Sequence, residues 1–156
     1  MKFSEMPYTR PDLEAAKAQC AALCSRIAGA QNAGEALAAA KEFDEMSRHI
    51  ETLAILAEVR HTIDTRDAFY EAEQDFFDEN GPALNEAQLD VTRALLASPF
   101  RPQLEQAMGT LAFEKMEVNA KASSPAVLEL MAEENALVTA YDKLYASAQI
   151  EFDGHH

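Results

Sequence analysis

The residue types able to do chemistry are few in this sequence, and their spacing is poor. The nearest approach to a metal motif is Glu58-x-x-His61. In a carboxylate di-iron bundle, a Glu-x-x-His on each of two helices is completed by a Glu from each of two others. Here the motif occurs once, and His49 follows Glu45 by four positions instead of three, so half the ligand set is lacking. A helix-terminal donor near Asp64 is the simpler role for His61. A zinc peptidase needs His-Glu-x-x-His on one helix, two imidazoles for the metal and a carboxylate to activate water. The sequence has His49-Ile50-Glu51 and nothing closer, so the chain as it stands is not expected to hydrolyse peptides. Glu133 and Glu134 are adjacent, but neighbours on a helix point in different directions and cannot share one substrate atom. There is no glycine-rich phosphate loop and no Gly-x-Ser-x-Gly elbow. Cys20 and Cys24 lie four apart on one helix face, where a disulfide fits poorly and two thiols fall short of a zinc site. They read as small apolar core residues in a reducing compartment.

The stretch from Glu58 to Pro82 is the most crowded with functional groups. Phe69, Tyr70, Phe76 and Phe77 stand among Asp67, Glu71, Glu73, Asp75, Asp78 and Glu79. Arg60 and His61 suit the end of one helix, where cations oppose the negative end of the dipole. Asp64 or Thr65 can cap the next, with Asp67 in its first turn, which makes Thr62 to Thr65 a tight turn. Phe69, Ala72, Phe76 and Ala83 then recur at helical spacing, with Tyr70 and Phe77 on an adjoining stripe. The apolar face is wide enough to be covered from two sides.

The elements that must position these groups are helices. Residues 1 to 10 form an extended lead with Phe3, Met6 and Tyr8 as anchors, and Pro11 suits a first helical turn. Leu13, Ala16, Cys20, Leu23 and Ile27 mark helix one, up to the break between Gly29 and Gly34. Asn32 with Glu35 caps helix two, whose stripe runs from Leu37 to Val59. Helix three starts near Thr65, meets Asn80-Gly81-Pro82 and continues, kinked or as two abutting helices, to Ser98. Leu104 to Val118 make a fourth helix with Gly109 as a weak point. Ser123-Ser124-Pro125 opens a fifth that runs through Tyr145. From Gln149 to Asp153 polar and apolar residues alternate, a strand pattern with no second strand to pair with. The expectation is an all-α fold: an antiparallel bundle of about five long helices, with a short unpaired strand at the C-terminus. Residues 1–148 would be one helical lobe and 149–156 the start of an interrupted strand segment, with His155 and His156 set aside as a possible tag stub.

Twenty-seven acids against 13 Lys and Arg give a net charge of −14, which argues against a nucleic-acid partner. Much of the excess lies between Asp64 and Asp90, where Arg66 is the one base; a solvated helix face is its plain reading. No apolar run approaches the roughly 20 residues needed to cross a bilayer, and the first residues lack the apolar core of a secretory signal. A cytoplasmic location is expected, with no membrane partner.

Several blocks together carry a resemblance. They are Phe3-x-x-Met6-x-Tyr8-x-Arg10-Pro11-Asp12, Arg60-His61-Thr62-Ile63-Asp64-Thr65-x-Asp67-x-Phe69-Tyr70-x-x-Glu73-x-x-Phe76-x-Asp78-Glu79, Ser98-Pro99-Phe100-Arg101, Glu133-Glu134-Asn135-x-Leu137 through Tyr141-x-Lys143-Leu144, and Ala146-Ser147-Ala148-x-Ile150-Glu151-Phe152-Asp153-Gly154. In this order, and over essentially the whole chain, they resemble the N-terminal region of oligoendopeptidase F, among the thimet-oligopeptidase-like zinc peptidases. The resemblance implies a helical lobe packed over a catalytic lobe that carries His-Glu-x-x-His, the two enclosing a channel for short peptides. It implies zinc in the other lobe and no cofactor in this chain, and no catalytic or metal residue carries over. The partners implied are that catalytic lobe and, in the whole enzyme, short peptides. Arg60, His61, Asp64, Asp67, Phe69, Tyr70 and Glu73 would lie at the lobe interface or channel wall. Without the resemblance the same residues are turn capping inside the bundle, and the alternative is a stand-alone helical interaction protein that forms a homo-oligomer through its aromatic face.

Overall fold

Asp12 and Asn32 open the first two helices by the same device, a side-chain oxygen turned onto an otherwise unpaired backbone N–H of the first turn. In the computed structural model, which describes residues 3–123 and 125–147, Asp12 accepts from Ala15 N at 2.9 Å and α1 runs Leu13–Gly29. Pro11 stands one residue before this cap, not inside the helix. Asn32 accepts from Glu35 N at 3.0 Å, and Glu35 reaches back to Gln31 N at 2.9 Å, the reciprocal pair that starts α2, Ala33–Ile63. A 3-10 turn, Phe3–Glu5, precedes both.

The third start differs from expectation. α3 spans Ala68–Leu96 and its cap is Asp67, whose carboxylate accepts from Phe69 N at 2.9 Å and Tyr70 N at 3.4 Å. Asp64 is instead drawn into the connecting turn, where it accepts from both Arg66 N and Arg66 Nε at 3.1 Å. Pro82 sits inside α3 without ending it, and Asn80 Nδ2 donates to Phe76 O at 2.8 Å just before it.

The expected fourth helix is two. α4, Arg101–Met108, ends at Gly109, whose φ of +98° and ψ of 137° belong to a region that side chains avoid; α5, Thr110–Ala122, follows. α6, Pro125–Ala146, has proline in the first position, where no backbone N–H is needed. All described elements are helical, six α-helices and the short 3-10 turn; the expected strand at Gln149–Asp153 and the terminal His155 and His156 lie outside the described residues.

The chain divides into two compact units, Met1–Ala122 and Ser123–His156. In the first, one apolar cluster joins the end of α1 (Cys20, Leu23, Ile27) to the start of α2 (Ala36, Ala39, Ala40), the end of α3 (Val91, Leu95), Leu104 of α4 and Phe113 of α5. A second joins the start of α1 (Leu13, Ala16) to Ile50 of α2 and Leu84 of α3. α1 is therefore antiparallel to α2 and parallel to α3. Small alanines on α2 let its neighbours approach closely. At 17 residues against 31 and 29, α1 is about 20 Å shorter than its partners. The C-terminal end of α2 and the N-terminal end of α3 thus project beyond it, and the extended lead, residues 6–12, occupies the space that a longer α1 would fill.

At the other end Arg101 brackets the α4–α5 corner. Its guanidinium donates to Glu105 at 2.6 Å and to Glu117 at 2.6 Å, and lies 5.8 Å from the Phe113 ring centroid. Arg101 holds the Glu117 carboxyl below the usual carboxylate range. In the second unit, α6 presents Leu130, Leu137, Val138, Tyr141, Leu144 and Tyr145 to solvent, each between 52% and 76% exposed.

Candidate functional site

The groups that the sequence singles out converge where the lead crosses the projecting ends of α2 and α3. Glu73 sits on the apolar stripe of α3, four residues after Phe69 and three before Phe76, and is 3% exposed. A carboxylate there must find donors, because an unpaired buried charge costs several kcal/mol. Arg10 and Tyr8 supply them. Arg10 Nη2 donates to Glu73 Oε1 at 2.7 Å, its Nε spans both carboxylate oxygens at 3.1 and 3.0 Å, and the Tyr8 hydroxyl donates to Oε2 at 2.6 Å. The guanidinium also lies 4.5 Å from the centroid of the Phe76 ring.

The electrostatics follow from this geometry. The hydrogen bonds from Arg10 hold the Glu73 carboxyl below the ordinary value, against its burial. Burial first, and then the bond to Glu73, push the Tyr8 phenol well above the ordinary tyrosine range. Glu73 is thus an ionised anchor and Tyr8 a neutral donor. Neither is poised to exchange a proton near neutrality.

Arg60 makes a parallel attachment one turn away. Its Nη1 donates to the Tyr70 hydroxyl at 2.7 Å, and Nη2 donates to the carbonyls of Met6 at 2.7 Å and Phe3 at 3.2 Å. Its guanidinium lies 5.6 Å from the Phe3 ring and 5.4 Å from the Tyr70 ring. Tyr8, Phe69 and Tyr70 meet edge to face, with centroids 4.9 to 6.1 Å apart. Tyr8 is the anchor that its type suggests, whereas Phe3 and Met6 are held through their carbonyls and the Phe3 side chain stays exposed.

Of the seven residues singled out from sequence, Arg60, Tyr70, Glu73 and Phe69 are brought together through the lead. Asp67 is a helix cap, and Asp64 is a turn residue whose carboxyl Arg66 holds below the usual range. His61 does not meet Asp64; its Nδ1 is buried without a hydrogen-bond partner. The Tyr8–Glu73–Arg10 cluster is missed by sequence reasoning as a contact, although a glutamate centred in an apolar stripe was a signal that some cation had to reach it. Among the described residues no three His, Cys, Asp or Glu side chains come together as a metal site, and no helix is long and apolar enough to cross a membrane. The cluster can fasten one chain segment to two helices. It holds no nucleophile paired with a base.

Comparison with known proteins extends this geometry. The sequence profile of the peptidase M3 N-terminal domain matches residues 3–123. No curated protein matches the chain. Among solved structures, PZ peptidase A with an inhibitor is 43% identical with a TM-score of 0.91, over 99% of this chain and 27% of that one. An oligoendopeptidase F crystallised by microfluidic seeding is 42% identical, TM-score 0.90, over 99% and 27%. An oligoendopeptidase F from Bacillus anthracis str. Ames is 34% identical, TM-score 0.90, over 99% and 28%. The chain spans little more than a quarter of the length of the structures it matches.

Proposed function

This chain belongs to the M3 peptidases, as their N-terminal domain, and from that premise we propose that it is the helical lobe covering the peptide channel of a zinc-dependent oligoendopeptidase. One observation carries the reading: 99% of the chain superposes on peptidases of which it makes up 27%. In this reading peptide cleavage, zinc and its ligands belong to the remainder of the enzyme. Alone, the chain is not catalytic. Its free thiols at Cys20 and Cys24, both pushed up by burial, suit a reducing cytoplasm.

The rigidity of the Arg60–Glu73 region supports a structural role. A lobe that roofs a channel must hold its shape without help from the substrate, and the lead is tied to both long helices by charge-assisted bonds. The alternative, self-association through the α3 aromatic face, has less surface to draw on. Tyr8 and Arg10 already cover Tyr70, Glu73 and Phe76.

A hybrid tests the proposal. With this chain in place of the matching segment of PZ peptidase A, the enzyme should cleave a short fluorogenic peptide that unmodified PZ peptidase A cleaves. The same enzyme with the segment deleted should not. An inactive but folded, zinc-loaded hybrid would overturn the reading.

A further inference from the structure

We propose that the apolar stripe of α6, and not the Arg60–Glu73 surface, is the face onto which the rest of the peptidase chain docks; this rests on the reading of the chain as a peptidase lobe and specifies its interface. The three strongest polar groups of the Arg60–Glu73 surface are already engaged within the chain. Arg60, Tyr70 and Glu73 each bond to the lead or to one another.

α6 is the opposite case. At 100° per residue, Leu130, Leu137, Val138, Tyr141, Leu144 and Tyr145 fall within an arc of roughly 120°, the width of a core-facing stripe. All six are more than half exposed. Tyr141 and Tyr145 stack with centroids 6.4 Å apart and interplanar angle 22°, so the two rings form one flat element. A buried tyrosine contributes roughly 150–250 Å², and with four aliphatic neighbours the patch exceeds what a soluble monomer ordinarily leaves bare.

The occupant follows from coverage and charge. The peptidases that superpose on 99% of this chain extend well beyond it, with about three-quarters of their length outside the match. That remainder is the partner whose existence the comparison supports. A second copy of this chain is disfavoured by like charge: the protein carries −14, and Glu134 lies inside the α6 arc with Glu133 and Asp142 flanking it, while Lys143 falls on the opposite side of the helix. The complementary surface is therefore apolar with a Lys or Arg placed to reach Glu134, because a carboxylate covered by the interface needs a donor.

The test uses the hybrid peptidase and the chain by itself. Leu137→Glu combined with Tyr141→Glu should leave the helix content and the unfolding midpoint of the isolated chain within experimental scatter, and should lower peptide cleavage by the hybrid at least ten-fold. Glu134→Lys should do the same more weakly, and Glu134→Gln should recover most of the loss. If the unsubstituted hybrid is inactive, the peptidase-lobe reading itself fails. If the unsubstituted hybrid is active and the double variant equally so, the reading stands and the α6 interface is wrong. Unfolding of the isolated chain by the double variant would show the stripe to be its own core and overturn the proposal. So would sedimentation of the isolated chain as a dimer that the double variant dissociates, which would make a second copy the occupant.

Discussion

The Tyr8 hydroxyl donates to Glu73 Oε2 at 2.6 Å, joining residues 65 positions apart. This bond can be removed without disturbing the ring contacts of Tyr8 with Phe69 and Tyr70. Tyr8→Phe should lower the stability of the Met1–Ala122 unit by about 1.5–3 kcal/mol, the net value of a hydrogen bond to a charged group. The expected fall in the midpoint of thermal unfolding is about 5–10 °C. Circular dichroism of the two proteins checks it.

The same cluster sets a pH window. Glu73 titrates below its ordinary value of 4.5 when folded, so its contribution is complete above that pH and is lost as pH falls through the lowered value. Tyr8 titrates above its ordinary 10.0, so its contribution is complete below that pH and is lost only as pH rises beyond it. The stability difference between the wild type and Glu73→Gln should therefore be constant from about pH 6 to 9 and shrink in acid. Urea midpoints measured from about pH 9 down to below 4.5 test the sign, since other carboxylates titrate equally in both proteins.

Two glycines should respond in opposite directions. Gly109 has a φ of +98°, and Gly109→Ala should cost about 1–3 kcal/mol although nothing within 4 Å obstructs a methyl group there. Gly29, the last residue of α1, also has nothing within 4 Å and no positive φ. Gly29→Ala should stabilise by about 0.5–1 kcal/mol. Denaturant titration of both variants decides the matter.

Phe113 closes the main apolar cluster and is fully buried. Phe113→Ala should cost about 3–5 kcal/mol. Tyr145→Ala, at a side chain 76% exposed on α6, should change the stability of the isolated chain by less than about 0.5 kcal/mol. Equal effects at the two positions would contradict the burial pattern described above.

Much of the fold was legible because its signals are local. The capping pair Asn32 and Glu35, the stripe from Leu13 to Ile27 and the proline opening α6 each declare a helix within a few residues. The division at Gly109 was half legible: glycine marked the weak point, but only the backbone angle shows that it ends a helix. The start of α3 was misplaced because Asp64 and Asp67 are chemically equivalent as caps. What decides between them is Arg66, which occupies Asp64 and leaves Asp67 for the helix. The Tyr8–Glu73–Arg10 cluster was illegible as a contact because it links distant segments, and no helical period connects residue 10 to residue 73.

The grip of Arg60 on the carbonyls of Phe3 and Met6 has a practical corollary. Residues 3–10 look like a dispensable tail, yet they cover the projecting ends of α2 and α3. A version of the protein trimmed to begin at Leu13 would uncover Phe76 and strand the Glu73 carboxylate against oil. Such a shortened chain should be prone to clumping during purification.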